Sequence, residues 1–397
     1  MPSEWRDVRL ADVADEVTVG YVGPMAAEYT SQGVPFLRSK NIRPHAIDLT
    51  DVRFISSDFH LKIAKSRLAP GDVVTVRTGK PGTTAVIPDS LPVANCSDLV
   101  ITRTGPELDP RWLSYFINGA AGGYIESRLV GAVQQHFNIG SAKEMLLHLP
   151  PLNEQRSIAA TLGSLDEKID SNVRAVWIQR ELATAMLLDV SKTQVRLGDV
   201  ASLRKGLSYK GEGLTGVGEG IPMVNMGSAA NFGWLKRDGF KYYKGEFKPR
   251  HIAEPGALII TGVEQTWKHE IIGWPLLVPE DVGSVLFTHH MILVDFNEDS
   301  EWMRLPLWAH LFSPGARASL ESLVYGTTVA TLPVSGLESL TFTVPDPRSR
   351  AIPTAESLLM RAWALERESE ALARLRNTLL PELLSGRLRV SDTATVT

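Results

Sequence analysis

Cysteine is almost absent from this chain: Cys96 is the single one in 397 residues. One thiol excludes a disulfide framework and any cysteine-rich zinc site, and it suits a reducing compartment. No uninterrupted apolar run approaches the roughly 18–20 residues that span a bilayer. The opening Met-Pro-Ser-Glu-Trp-Arg-Asp carries no basic-then-apolar secretory pattern, so a soluble, cytoplasmic protein is expected. Overall positive charge is missing too. The net charge is -4, which weighs against a uniformly basic nucleic-acid binder and shifts attention to how charge is distributed.

Signatures of chemistry are missing as well. There is no Walker A sequence, so ATP hydrolysis by this chain is not expected. Leu149-Pro-Pro-Leu152 lacks the preceding Asn or Asp and the following aromatic with which amino-methyltransferases grip a flipped base. Asp89 follows a proline, but no suitably spaced acidic-x-Lys completes a nuclease metal site. Gly211-Glu-Gly-Leu-Thr-Gly216 spells G-x-G-x-x-G without the apolar strand before it or the helix after it that a dinucleotide site needs. His289-His290 has no third ligand, and neighbours on a strand point oppositely, so one buried and one exposed histidine are expected. No catalytic residue and no metal site are assigned.

What the chain does have is itself twice. Val8-Arg-Leu-Ala-Asp-Val-Ala14 returns as Val195-Arg-Leu-Gly-Asp-Val-Ala201, Gly33-Val-Pro-Phe36 as Gly220-Ile-Pro-Met223, and Ala69-Pro-Gly71 as Glu254-Pro-Gly256. Gly131–Pro150 is echoed by Gly326–Pro345. Each copy begins strand-rich: Asp72-Val-Val-Thr-Val-Arg77 and Thr84-Ala-Val-Ile87 are β-branched runs beside Gly turns. Each then turns helical. Asp109 can cap a helix over 109–119 with Pro110 in its first turn and Trp112, Leu113 and Phe116 as its apolar stripe, and 301–312 is the counterpart.

Each copy also ends in a long heptad-like stretch. Ile158, Leu162, Leu165, Ile169, Val176, Ala183 and Met186 follow a 4-3 spacing, with polar Asn172 and Gln179 in the series. Leu358, Leu365, Leu372 and Leu379 recur every seven, with Ala355, Ala362 and Ser369 between them. Two narrow apolar stripes are best satisfied by each other, and chain order favours an antiparallel pair. Pro381 is expected to kink or end the second helix, with Gly386 as a stop. The fold expected is α+β: two homologous α/β domains separated by two long helices forming an antiparallel coiled coil, with internal pseudo-two-fold symmetry. The boundaries are 1–152 and 193–346 for the domains, 153–192 and 347–397 for the helical segments.

These residues resemble the specificity subunit of type I restriction-modification systems. Leu149-Pro-Pro-Leu-Asn-Glu-Gln-Arg156, with Ile158-Ala-Ala and Leu165-Asp-Glu-Lys-Ile169, looks like the start of that family's first conserved helix. Leu375-Arg-Asn-Thr-Leu-Leu-Pro-Glu-Leu-Leu-Ser-Gly386 looks like the close of its second. Pro70-Gly-Asp-Val-Val74 with Arg77-Thr-Gly-Lys80 and Gly82 resembles the core of its recognition domains. The resemblance implies that the two α/β domains are target-recognition domains of a non-catalytic subunit that reads a bipartite, asymmetric double-stranded DNA site, one half per domain. Its helices would set the unread gap and dock two adenine-methyltransferase subunits and the restriction/translocase subunits. S-adenosylmethionine, ATP and Mg2+ would serve those partners, with no cofactor in this chain. The second copy departs from the pattern, having Thr261-Gly262 and Glu264-Gln-Thr-Trp-Lys268 in place of Arg-Thr-Gly-Lys, and Val344-Pro-Asp-Pro-Arg348 at its helix start.

Candidate DNA contacts follow, since phosphate contacts position such a protein and base-edge contacts specify sequence. In the first copy they are Arg38, Lys40, Arg77, Lys80 and the amides Gln134 and Gln135, which suit adenine. In the second they are Lys241, Lys244, Lys248 and Arg250, from a basic stretch interleaved with Phe240, Tyr242, Tyr243 and Phe247, and Thr327 and Thr328 in the loop matching Gln134. Leu152, Glu154, Gln155 and Arg156 are the candidate partner contacts. Two rival readings are a coiled-coil scaffold that binds only proteins, and a restriction or modification enzyme contained in one chain.

Overall fold

The structure, a computed structural model, describes residues 5–130, 136–189, 193–230, 232–266 and 269–390. The chain forms two compact units: 1–169 with 370–397, and 170–369.

In the first unit a four-stranded sheet is ordered Thr84–Val86, Val73–Val76, Leu99–Thr104, Ala14–Val19, all antiparallel. The central strand Val73–Val76 is buried at every position, which is why its sequence is a continuous β-branched run rather than an alternation. A five-stranded sheet follows the order Tyr29–Thr30, Arg53–Ile55, Val34–Leu37, Ala94–Cys96, Arg67–Leu68, with one parallel pair, Val34–Leu37 beside Ala94–Cys96. Helix α1, Pro110–Gly119, begins as expected: the Asp109 carboxylate accepts from the Arg111 and Trp112 amides, and Trp112, Leu113 and Phe116 are buried.

The second unit repeats both strand orders. Its four-stranded sheet runs Ala201–Lys205, Met291–Phe296, Leu258–Thr261, Pro275–Leu277, and its five-stranded sheet runs Leu214–Thr215, Lys241–Tyr243, Ile221–Val224, Val285–Phe287, Ile252–Ala253. The parallel pair recurs between Ile221–Val224 and Val285–Phe287. The counterpart of α1 is the helix Arg304–His310 behind a 3-10 turn, Glu298–Met303. The Gly211–Gly213 segment is a 3-10 turn leading into a two-residue strand, not the strand-to-helix turn of a dinucleotide site.

Two long helices pass through both units: α2, Leu152–Asp189, and α3, Ala351–Leu384. At 1.5 Å per residue α2 is about 57 Å long. Within the first unit Arg376 donates to Asp166 (2.5 Å) and Arg389 to Glu154 (3.0 Å). Within the second, Asn172 donates to Glu368 (2.9 Å), while Ala183 and Leu187 share a core with Ala355 and Leu359. The helices therefore pair antiparallel, as the chain order predicted. Polar Asn172, a break in the heptad by sequence, is 2% exposed and satisfied by that bond.

One expectation about α3 changes. The helix does not end at Pro381 but continues to Leu384, the missing proline N–H removing one ladder hydrogen bond. Gly386, at φ +71, follows the end. Along the expected series Ala355 and Ala362 are buried and Leu358, Leu365, Leu372 and Leu379 half-buried, and Leu359 adds a further buried position beside them. No helix among the described residues is long and apolar enough to cross a membrane.

Candidate nucleic-acid interface

Each unit gathers two sequence-distant loops at the same place on its sheet. In the first, the hairpin between Val73–Val76 and Thr84–Val86 turns through residues 77–83. The Phe137 amide donates to the Arg77 carbonyl (3.0 Å), and Thr78 bridges His136. The 77–83 loop is thereby stitched to the strand that follows residues 131–135. Gln134 and Gln135 lie outside the described residues.

Lys80 is exposed on this loop. Arg77 has a different task from the one expected. Its guanidinium pairs with Asp98 and its Nε donates to the Phe137 carbonyl (3.0 Å), leaving the side chain 13% exposed. A cation so held supports the loop rather than reaching outward. Arg38 is largely covered and shares Asp51 with Lys40, which stays exposed in a surface ion pair. Burial, with Arg53 nearby, holds the Arg38 guanidinium below its ordinary range.

The second unit makes the same joint with other residues. Val263–Glu264 pairs with Ala330–Thr331, and the Leu332 amide donates to the Gly262 carbonyl (2.9 Å). Tyr325 bridges Thr331 across a tight turn in which Gly326 has φ +98, leaving Tyr325, Thr327 and Thr328 exposed. A left-handed residue there favours glycine. Glu264, 2% exposed, accepts from the Thr266 hydroxyl and from the amides of Glu270, Ile271 and Ile272 (2.8–2.9 Å). Burial pushes its carboxyl up, but those four donors outweigh it and the net shift is downward.

The basic-aromatic stretch is partly absorbed. Arg237 pairs with Asp281 and Glu366, Lys241 bonds Tyr209, and Lys244 lies 3.6 Å from Glu219. Arg250 contacts His251, while Lys248 is exposed. Asp98 and Asp281 were not legible as partners in the sequence, since nothing local to them signals a bond 21 or 44 residues away, and the Glu264 bonds to residues 2–8 positions on depend on a loop conformation that no local motif announces. His289 and His290 are both half-buried, with rings 3.9 Å apart. They occupy the turn before Met291–Phe296, not a strand, so the expected opposition fails.

At the start of α2 the four candidate partner contacts separate. Gln155 is fully buried: its amide donates to the Glu107 and Pro150 carbonyls and accepts from the Asp109 amide (2.8–2.9 Å). It clamps α2 to the cap of α1 and cannot meet a partner. Glu154 is bound by Trp5 and Arg389. Leu152 is half-buried and Arg156 exposed. Among the described residues no group of acidic, histidine or cysteine side chains is arranged to hold a metal. Cys96 is buried, and burial pushes its thiol up, opposite to what a nucleophile needs.

Comparison with known proteins places this arrangement. A family model described as the type I restriction modification DNA specificity domain matches residues 2–175. A Methanocaldococcus jannaschii protein named for the MjaX type I restriction enzyme specificity subunit is 23% identical over 197 residues, 47% of this chain and 45% of that protein. The match thus spans less than half of that relative's length. The S subunit of a type I restriction-modification system from M. genitalium has a TM-score of 0.60 at 16% identity, covering 96% of each chain. That likeness is one of fold. The resemblance to type I specificity subunits read from the sequence is borne out.

Proposed function

Because residues 2–175 match the model of the type I restriction modification DNA specificity domain, we propose that this chain is the sequence-reading, non-catalytic subunit of such a complex. Each unit reads one half of a bipartite, asymmetric DNA site. The continuous helices α2 and α3 set the unread gap. The observation that carries this reading is the repeated joint: in both units a strand-end loop, 77–83 or 262–266, is hydrogen-bonded to a sequence-distant strand, His136–Phe137 or Ala330–Thr331 with Leu332. Lys40, Lys80, Lys244, Lys248, Arg250, Thr327 and Thr328 are exposed candidates, and Gln134 and Gln135, outside the described residues, remain candidates from the sequence.

Adenine methylation with S-adenosylmethionine, and cleavage driven by ATP with Mg2+, belong to the modification and restriction partners in the cytoplasm. The exposed apolar residues Val173, Trp177, Ile178 and Leu182 along α2 support docking of protein partners there.

Expressing the chain with a candidate adenine methyltransferase, followed by genome-wide mapping of methylated adenine, tests the reading. The expected result is co-purification and a two-part asymmetric motif with a fixed gap that vanishes on deletion of this chain. Methylation unchanged by deletion would leave the scaffold reading in its place.

A further inference from the structure

Four positions at the loop end of the four- and five-stranded sheets correspond between the units, and three of them differ in charge while Arg53 and Lys241 keep a cation in place. Val19 pairs with Val100 where Lys205 pairs with Ile292. Arg53 lies opposite Phe36 where Lys241 lies opposite Met223. The Asp98 amide donates to the Tyr21 carbonyl where the His289 amide donates to that of Leu207. Arg77, which neutralises Asp98, stands where the second unit has Gly262. The first unit therefore closes this corner with an internal ion pair. The second replaces the acid by His289-His290, replaces its arginine partner by glycine, and adds Lys205.

The corner is accessible and its cations converge. Lys205 is exposed, and Tyr209, Lys241, His289 and His290 are half-buried. Lys241 sits 4.8 Å over the Tyr209 ring and bonds its hydroxyl, which fixes the ammonium in place. The charged groups acting on His290 are His289 on its own turn, Lys241 from Lys241–Tyr243 and Lys205 from Ala201–Lys205. The His290 carbonyl accepts from the Gly262 amide (2.8 Å), placing the cluster directly against the 262–266 loop. The His289 Nδ1 is buried with no hydrogen-bond partner among the described residues.

We propose that Lys205, Lys241 and His290 form a phosphate-binding corner in the second unit, where a DNA backbone phosphate is met and a proton is taken up by the imidazole. This rests on the DNA-reading function above. Among the described residues no acid figures among the charges acting on His290, so the cations gathered there repel one another and a phosphate removes that repulsion. Burial, then His289, Lys241 and Lys205, hold the free imidazole below its ordinary range. A bound phosphate raises it again, so the added affinity is complete below the free-state range and is lost as pH rises through the bound-state range. The first unit, with Asp98 paired to Arg77, has no such proton to gain.

The test is duplex binding by the full chain between pH 5.5 and 8, with wild type, His290→Gln and Lys205→Gln. Wild-type affinity should fall about tenfold per pH unit at most, the limit for one linked proton. His290→Gln should flatten that dependence. Lys205→Gln, a change at an exposed side chain, should reduce the logarithmic salt slope by about 0.9. A His290→Gln chain that melts like wild type and keeps the wild-type pH dependence overturns the proposal, as does an unchanged salt slope in Lys205→Gln. Absence of duplex binding by wild type at every pH would instead overturn the DNA-reading function itself.

Discussion

In the first unit the hairpin of Ile42–Arg43 and Ala46–Ile47 turns at His45; in the second the hairpin of Ala229–Ala230 and Trp234–Leu235 turns at Phe232. Both turn residues adopt positive φ, 65° and 63°. Both turns are fastened to the long helices, by different chemistry. His45 stacks on Tyr115 (4.1 Å), whose hydroxyl donates to Asp166 of α2 (2.5 Å), which accepts in turn from Arg376 of α3. In the second unit Arg180 of α2 donates directly to the Gly233 and Phe232 carbonyls (2.8 and 3.3 Å) and lies over Trp234 (4.3 Å), with Trp177 and Phe312 at its edges. One fold thus joins a hairpin to the long helices by a relay containing a titratable ring in one copy, and by a permanently charged guanidinium in an aromatic box in the other. Repetition of topology preserves the joint and leaves its chemistry free.

The largest expected effect comes from removing the aromatic-box cation. Arg180 is 9% exposed, and burial lowers its pKa to about 10 with Glu366 opposing, so it stays charged at neutral pH. Arg180→Met removes two charge-assisted bonds and a desolvated cation–π contact, a loss of about 3 kcal/mol. Hydrogen exchange should show lost protection across 193–369 and unchanged protection in 5–130. Next is Gln155→Leu, which leaves the Asp109 amide and two carbonyls of the first unit unpaired, about 2 kcal/mol, with the opposite distribution of lost protection. Equal loss in both units after either change would break the comparison.

The smallest effect is in pH. Burial, with Arg376 adding and Asp166 opposing, lowers the His45 imidazole to about 4. The unfolded chain binds that proton near 6.5, so the contribution is intact above 6.5 and declines as pH falls toward 4. The first unit should weaken by roughly 1 kcal/mol between pH 7 and 5 through this group, while the second has Phe232 in its place. Denaturant melts of His45→Asn, a residue tolerant of positive φ, should show a flatter pH profile than wild type. An identical profile would remove His45 from the relay.

Much of this architecture was legible in the sequence, and the reason is repetition. Echoed segments such as Val8–Ala14 and Val195–Ala201 flagged two copies, and each lies where a strand and a one-turn helix recur. Capping at Asp109 and the heptad spacing of α2 are local patterns that report helices directly. Side-chain pairing across long separations was not legible. Arg77 read as an outward cation because Asp98 meets it only after two strands pair. Gln155 read as a surface residue because the groups that consume it, Glu107 and Asp109, lie nearly fifty residues away. His289-His290 read as unremarkable because its meaning depends on Lys205 and Lys241 arriving from other strands.

Separate reading of DNA by the two units, as proposed above, is tested most directly at the second unit's exposed turn. Methylated-adenine maps would be compared for wild type and for Thr327→Ala/Thr328→Ala, changes at the exposed turn of the second unit. The expected result is a two-part motif in which one half is relaxed while the other half and the gap are unchanged. A variant in which both halves degrade together, or in which the motif is identical to wild type, would contradict separate reading through these loops.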